Sequence, residues 1–443
     1  MISISQIAML VTILSVATSA ASAYSISIIT GANGFVGRHV VYSLLQKHYN
    51  NDSTLAEESA EAAAAERGGG GELIVCLVRP DKISYEESYW QAHIEEFQLL
   101  SSSKQLNLQD TACVRVLVCP YDMLDDGTSL MDALESSIKY SSSTMMDDCS
   151  LCIYHVASVF GPTLNPIQTA KDNVKSAECV VTTLDMFYKR FPYINPRVII
   201  TSSMAAVRAT DQIPLNGKYY THRDWNTISK LNEKNWGSCY QWSKAESERR
   251  VWDMVRECND KYAIDNKNNR PIELITLCPS FVFGPPPPLP AKLKNTSTKT
   301  AVSSSYSLAL INQWLQGESP VQSRLCADVR DVAMAHIAAG TMKKLPEDDA
   351  DRRYIMSTER RLSSEETAKA LMKGVHRAQM SDIIDTSKIM YDTKFTGGAI
   401  KIGEREVEAS ERLKHNLGVV CRPVEETMQD TAEALLLFRE TYI

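Results

Sequence analysis

The chain lacks the features that mark several classes of protein. Its 47 Lys and Arg among 443 residues form no block and are outnumbered by 54 Asp and Glu, giving a formal net charge of −7. Nucleic-acid surfaces gather basic residues on one face or in one run, so a nucleic-acid partner is not expected. No Cys/His group has zinc-ligand spacing. The 11 cysteines are an odd count, and Cys76, Cys119, Cys152 and Cys278 lie in apolar, strand-like runs. A free thiol there packs as a small hydrophobe, so neither a metal nor a disulfide framework is expected. No internal repeat is visible. What remains, 44% apolar and 23% charged residues, is ordinary globular composition in a chain long enough for two lobes.

The N-terminus stands apart. Ile7 to Ala17 is mostly apolar, and Ala21-Ser22-Ala23 has the small-x-small form of a signal-peptidase site, although no Lys or Arg precedes the apolar stretch. That stretch is shorter than a membrane span, which needs about 20 apolar residues. Residues 1–23 are therefore expected to be a cleaved signal or an N-terminal anchor, the alternative being an unprocessed extension. The first case places the protein in the secretory pathway or outside the cell, with any membrane contact made through this segment. The second leaves it cytoplasmic. Asn51-Asp52-Ser53 and Asn295-Thr296-Ser297 are glycosylation sequons, common enough by chance to add little.

From residue 25 onward, short apolar runs alternate with helical patterns. Ser25–Ile29, Leu73–Val78, Val114–Cys119, Leu151–Ala157, Arg197–Thr201 and Leu274–Cys278 read as six strands, with a helix at Arg38–Lys47 after the first. Runs apolar on both faces between helices predict an α/β fold of the Rossmann type, a doubly wound parallel sheet covered on both sides. A dinucleotide-binding domain is set at 24–284, with an inserted loop at 50–72, and 285–443 is expected to be mainly a smaller mixed α/β substrate lobe. Ser363 with Glu366 three residues later is a capping box, and Gly418 after Leu417 a helix stop.

The first strand leads into Thr30-Gly31-Ala32-Asn33-Gly34-Phe35-Val36-Gly37. In a strand–turn–helix setting the first glycine allows a tight turn, the second lets backbone approach a pyrophosphate, and the third lets helix pack on strand. The helix N-terminus then offers free N–H groups and partial positive charge to the anion. The spacing is GxxGxxG, and the stretch resembles that of the extended short-chain dehydrogenase/reductases. An acidic residue after the second strand would hold the ribose of NAD. Here the strand ends in Arg79, with Lys82 beyond it, and a guanidinium suits a 2′-phosphate, so NADP is expected over NAD. The resemblance implies that Asp122, followed by Met123, contacts the adenine.

Ser203 ends the fifth strand, and Tyr240 and Lys244 follow at a four-residue spacing that puts both on one helix face. Carbonyl reduction leaves an alkoxide that must be protonated as hydride arrives. A phenol has a pKa of about 10, and a nearby ammonium lowers it. Tyr240 then suits a general acid in reduction and a general base in oxidation. Lys244 would tune it and hold the nicotinamide ribose, and Ser203 would hydrogen-bond the substrate oxygen.

The resemblance extends, with inserts, from about Ser25 to the C-terminus, and implies several further roles. Val156, Ala157 and Ser158 would line the cofactor with their backbone, His155 would pack and hydrogen-bond rather than catalyse, and Asn173-Val174 would open the next helix. Leu277 to Pro285 would close over the nicotinamide, with Pro279 and Phe281 nearest the ring. Asp328 to His336 would be a structural motif in the substrate lobe, with Asp331 as a helix cap. Val78-Arg79, His155 to Ser158 and Thr201 to Ser203 look most like dihydroflavonol reductases, cinnamoyl-CoA reductases and 3β-hydroxysteroid dehydrogenases. Tyr219, Tyr220, Trp225 and Trp236 suggest an apolar or aromatic ligand or, equally, packing. The expected function is NADP-dependent interconversion of a carbonyl and an alcohol on a small organic substrate. A nucleotide-sugar epimerase or dehydratase with retained NAD, or a non-catalytic dinucleotide sensor, are the alternatives. Met204-Ala205 stands where dehydratases usually carry an acid. The family often forms dimers, so a homodimer is compatible with the resemblance.

Overall fold

The computed structural model describes residues 24–49, 71–103, 114–140, 149–263, 272–287, 289–293, 305–380, 384–391 and 403–437. The N-terminal segment 1–23, both sequons and nearly all of the 50–72 insert lie outside these residues. Among the described residues, no helix is long and apolar enough to cross a membrane.

The six expected strands all form: β1 Tyr24–Thr30, β2 Glu72–Val78, β3 Val114–Pro120, β4 Cys149–His155, β5 Pro196–Thr201 and β6 Glu273–Pro279. A seventh in the same sheet, β9 Arg353–Met356, comes from the segment beyond 285. Its four residues, headed by an arginine, are too few to show a period. All are parallel in the order β3-β2-β1-β4-β5-β6-β9. The order reverses between β1 and β4, and in sheets of this kind ligands bind beyond the strand ends at that reversal. The strand expected to run to Ala157 stops at His155, because the Val156 and Ala157 N–H groups turn away to the Thr30 hydroxyl.

Both faces of the sheet are buried, as the continuous apolar runs require. Ile29, Ile74, Cys76, Tyr154 and Ile199 face one core, and their neighbours Ile28, Leu73, Val75, Ile153 and Val198 face the other. On the second side pack α3 Thr128–Tyr140, α4 Pro166–Arg190 and α6 Trp236–Ala263. On the first lie α1 Phe35–Tyr49, α2 Ile83–Ser103, α7 Tyr306–Gln316 and α8 Val329–Gly340. The Asp328–His336 motif therefore covers the sheet beside α1, where a substrate lobe was expected. Its helix is also capped differently. Asp328, extended at the end of the short strand β8 Cys326–Asp328, accepts from the Arg330 N–H at 2.8 Å. Asp331 lies inside the first turn, where no cap can sit, and instead accepts from the Arg422 N–H at 2.6 Å. Strand β8 pairs with β7 Phe281–Phe283. Later come α9 Ser364–Arg377, α10 Ser410–Leu417 and α11 Val424–Leu437, with the expected capping box at Ser363 and Glu366 and a left-handed Gly418 after α10.

Candidate active site

The cradle opens at the end of β1. Gly31 has φ +66°, and a Cβ there would sit 3.0 Å from the Ala157 Cα; a Cβ on Gly37 would come within 2.2 Å of the Gly31 carbonyl oxygen. Only glycine fits either place without moving backbone. The turn closes with the Gly34 N–H donating to the Gly31 carbonyl at 2.9 Å, and α1 begins at Phe35. Asn33, Gly34, Phe35 and Val36 thus form the rim of the helix N-terminus, the arrangement that receives a pyrophosphate.

Thr30 ties the cradle to the neighbouring strand. Its Oγ1 accepts from the Val156 and Ala157 N–H groups at 3.1 and 3.2 Å and lies 3.0 Å from His155 Nδ1. With its acceptor capacity used, the hydroxyl donates to His155, so Nδ1 carries no proton. Burial, then the charge of Lys244, pushes His155 down to about 3. It is a neutral structural residue.

The cations after β2 lie on a short turn, Pro80–Lys82. Arg79 is exposed and stands 3.8 Å from Asp81, with Lys82 3.2 Å from the same carboxylate. Two cations share one acid at the edge of the crevice, a donor set with charge left over for a phosphate. Asp122 forms a turn beyond β3, accepting from the Leu124 N–H at 2.9 Å, with Met123 packed against the second core. Asn173 clamps the loop after β4, accepting from the Val159 N–H at 2.8 Å and donating to its carbonyl at 3.0 Å. This sets the path of Ala157 and Ser158.

The three expected catalytic residues meet beyond β4, β5 and β6. Ser203 caps the single turn α5 Met204–Val207, its Oγ accepting from the Ala205 N–H at 3.1 Å, and the same hydroxyl lies beside the Tyr240 phenol. Ser202 is committed elsewhere, donating to Glu248 at 2.6 Å. Of the two serines, therefore, Ser203 faces the phenol. Burial pushes Tyr240 up to about 12, and the Ser203 hydroxyl acts the other way. The sequence led us to expect a phenol lowered by Lys244. Instead the ammonium stands 5.9 Å from the ring centre and donates to Ser158 Oγ at 3.1 Å and the Thr201 carbonyl at 3.0 Å. Burial brings Lys244 down to about 8, against the pull of Glu248.

Around Tyr240 stands an aromatic wall. Phe160 lies 4.7 Å from the Tyr240 ring, 5.7 Å from Trp236 and from Phe281, and 5.3 Å from Tyr306. A narrow cavity bounded by Val159, Gly161, Asn173, Trp236 and Tyr240 opens beside the phenol. Pro279 ends β6 just before Phe281. Of the four aromatics proposed from the sequence, Trp236 alone joins this wall. Trp225 stacks on Arg353 at 3.8 Å, Tyr219 on Arg405 at 4.6 Å, and Tyr220 lies 5.7 Å from Arg208, all as packing. Sequence reasoning missed Phe160, Tyr306 and Glu248. Glu248 falls four residues after Lys244, on the face already assigned to catalysis, and that spacing was its one signal.

No family model matches the chain. It is 32% identical over 152 residues to an oxidoreductase of Schizosaccharomyces pombe, covering 34% of this chain and 40% of that protein. It is 25% identical over 261 residues to the NADPH-dependent methylglyoxal reductase GRE2 of Saccharomyces cerevisiae, covering 55% of this chain and 64% of that protein. The chain thus spans less than two thirds of the length of these relatives. The crystal structure of the yeast methylglyoxal/isovaleraldehyde reductase Gre2 complexed with NADPH superposes with a TM-score of 0.58 at 20% identity, over 95% of this chain and 100% of that one. The order of strands, the glycine cradle and this superposition together give the chain the fold of the extended short-chain dehydrogenase/reductases.

Proposed function

We propose that the protein is an NADPH-dependent carbonyl reductase acting on a small substrate with an apolar or aromatic face. The observation that carries this is the meeting of Ser203, Tyr240 and Lys244 at the strand ends, beside a cradle that admits no side chain at Gly31 or Gly37. The likeness to a reductase named for NADPH agrees with it. Residues 30–37 would hold the pyrophosphate, Arg79 and Lys82 the 2′-phosphate, Asp122 and Met123 the adenine end, and Val156 to Ser158, Pro279 and Phe281 the nicotinamide end. NADPH, when bound, supplies the hydride.

The chain's own residues supply the rest. A phenol near 12 is protonated at neutral pH, the form a general acid needs. The Ser203 hydroxyl lies beside the Tyr240 phenol, so both can converge on one carbonyl oxygen, polarising it and delivering the proton. Lys244, fixed by Ser158 and the Thr201 carbonyl, keeps a cation beside the developing phenolate. The aromatic wall excludes water from the reacting carbon and offers a flat apolar contact to the substrate.

Fluorescence titration with NADPH and NADH, followed by turnover on a panel of small aldehydes and ketones, tests this reading. NADPH should bind more tightly than NADH. Tyr240→Phe should keep cofactor binding and lose turnover by about 10² or more. Failure of both cofactors to bind would sink the proposal.

A further inference from the structure

Beneath the proposed catalytic residues lies a buried ion pair that the mechanism above does not use. Glu248 follows Lys244 by one helical turn in α6 and is 1% exposed; Arg353, at the head of β9, is equally closed off. The Glu248 carboxylate accepts from Ser202 Oγ at 2.6 Å, Thr276 Oγ1 at 2.7 Å and Arg353 Nε at 2.7 Å, with Arg353 Nη2 at 3.3 Å. Arg353 also donates to the His222 carbonyl at 2.8 Å and to that of Asp224, and stacks on Trp225. One pair therefore joins α6, the end of β5, the middle of β6, β9 and the 222–224 loop.

We propose that Glu248 and Arg353 are positioning residues that fix the charge state of Lys244 and the placement of Ser203, the Glu248 charge favouring the ammonium one helical turn away and Arg353 limiting that effect. The inference rests on the reading of Lys244 as part of a reductase site. The argument is electrostatic. An ammonium with little access to water tends to lose its proton. Facing Lys244 are Tyr240 and Glu248 from its own helix, His155 from β4, the Thr201 carbonyl from β5, Cys278 from β6 and the Ser158 hydroxyl. His155 is neutral, and burial holds the Cys278 thiol far above its usual range. His336, which bonds Thr201 Oγ1 at 2.7 Å, is pushed down by burial to about 4 and is also neutral. Among the described residues, Glu248 is thus the full negative charge in this shell. Burial works to raise its own pKa, but Arg353 and the two hydroxyls prevail and hold it ionised. Arg353 partly cancels that charge as felt at Lys244, and in the alkaline range where Lys244 titrates Glu248 is expected to stay ionised without it, on its bonds to Ser202 and Thr276.

The two partners should therefore act on Lys244 with opposite sign. Protein carrying ¹³C at the lysine ε carbon is titrated by NMR, with the Lys244 resonance assigned by its absence in Lys244→Met. In Glu248→Gln the Lys244 midpoint should fall by about half a pH unit or more, and in Arg353→Gln it should rise. An unmoved midpoint in both, or movement in the same direction, overturns the proposal, since loss of packing alone carries no sign. If Glu248→Gln does not fold, Glu248→Asp decides: withdrawing the charge by one methylene should lower the midpoint by less. In turnover, the alkaline limb of kcat should follow the Lys244 midpoint in each variant. Absence of any NADPH-dependent turnover in the wild-type protein would defeat the reductase reading, while the NMR titration still decides the pair.

Discussion

Two buried ion pairs flank the crevice, and they are built to different standards. Arg38 and Glu86 join α1 to α2 behind the cradle and are 1% and 0% exposed. The pair makes a direct bond, and Tyr85 and Tyr89 lie against the guanidinium at 5.5 and 4.5 Å. Yet Arg38 Nε and Nη1 and Glu86 Oε2 have no hydrogen-bond partner among the described residues. Burial prevails over Arg38 and leaves the Glu86 carboxyl above its usual range. Glu248 and Arg353, equally buried, are bonded on both sides, and Glu248 is held below its usual range. A buried pair offsets its desolvation only when its remaining donors and acceptors are satisfied. The pair under the proposed catalytic residues meets that condition, and the pair behind the cradle does not.

The strongest way to break this contrast is to strand one charge. Arg353→Leu leaves a carboxylate in the core with two hydroxyls and without its bonded counter-ion. The expected cost is about 3–5 kcal/mol, read as a lower midpoint in urea unfolding at unchanged slope. A loss under about 1 kcal/mol would mean that Glu248 is simply protonated there, and the account of the pair would be wrong.

Acid sharpens the same point. A carboxylate whose folded pKa is depressed contributes stability that is fully present above its unfolded value, about 4.3, and is lost as pH falls through the folded value. Glu248 is such a group. The margin of wild-type over Glu248→Gln should therefore stay constant from neutral pH down to about 5 and shrink below about 4.3. Buried His39, His155 and His336, at about 4, 3 and 4, act in a window above this one. They are neutral in the fold and charge when it opens, so their share is lost from about 6.5 downward in both proteins. Comparing the two proteins cancels it. A margin that shrinks already at pH 6 would point to another group.

The two regions also differ in how much of them could be read in advance. The cradle is local. Eight consecutive residues carry the turn, the close approach and the helix start, and each glycine has a local reason: a left-handed φ at Gly31 and a close approach to the Gly31 carbonyl at Gly34 and Gly37. The six long strands and the capping box were legible for the same reason. Tyr240 and Lys244 share one helix, so their convergence followed from spacing. Glu248 lies on that face too, but its meaning depends on an arginine 105 residues away in a strand of four residues. Neither end shows a pattern. The aromatics between 206 and 236 were ambiguous on the same grounds. A Trp that stacks on Arg353 and one that walls the cavity have the same composition, and only the fold separates Trp225 from Trp236. By sequence either Asp328 or Asp331 could cap the helix, and the extended backbone at Asp328 selects the cap.

The smallest expected effect is the most direct test of the comparison. Replacing Arg38 and Glu86 together, as Arg38→Met with Glu86→Leu, removes both charges and their three bare polar atoms, and keeps apolar contact with Tyr85 and Tyr89. The lost bond is offset by two desolvation costs no longer incurred, so stability should change by about 1 kcal/mol or less, and the sign can favour the variant. The cradle itself is set by backbone contacts of Gly31 and Gly37, to which neither side chain contributes. NADPH affinity should then stay within a factor of about three, since a tenfold change corresponds to about 1.4 kcal/mol. The corresponding double replacement, Glu248→Met with Arg353→Leu, should recover stability relative to Arg353→Leu alone but not turnover, because Ser202, Thr276 and the carbonyls of 222 and 224 lose their partners. If instead the Arg38 pair proves costly to remove and the Glu248 pair does not, satisfaction of hydrogen bonds is the wrong measure of what these pairs do.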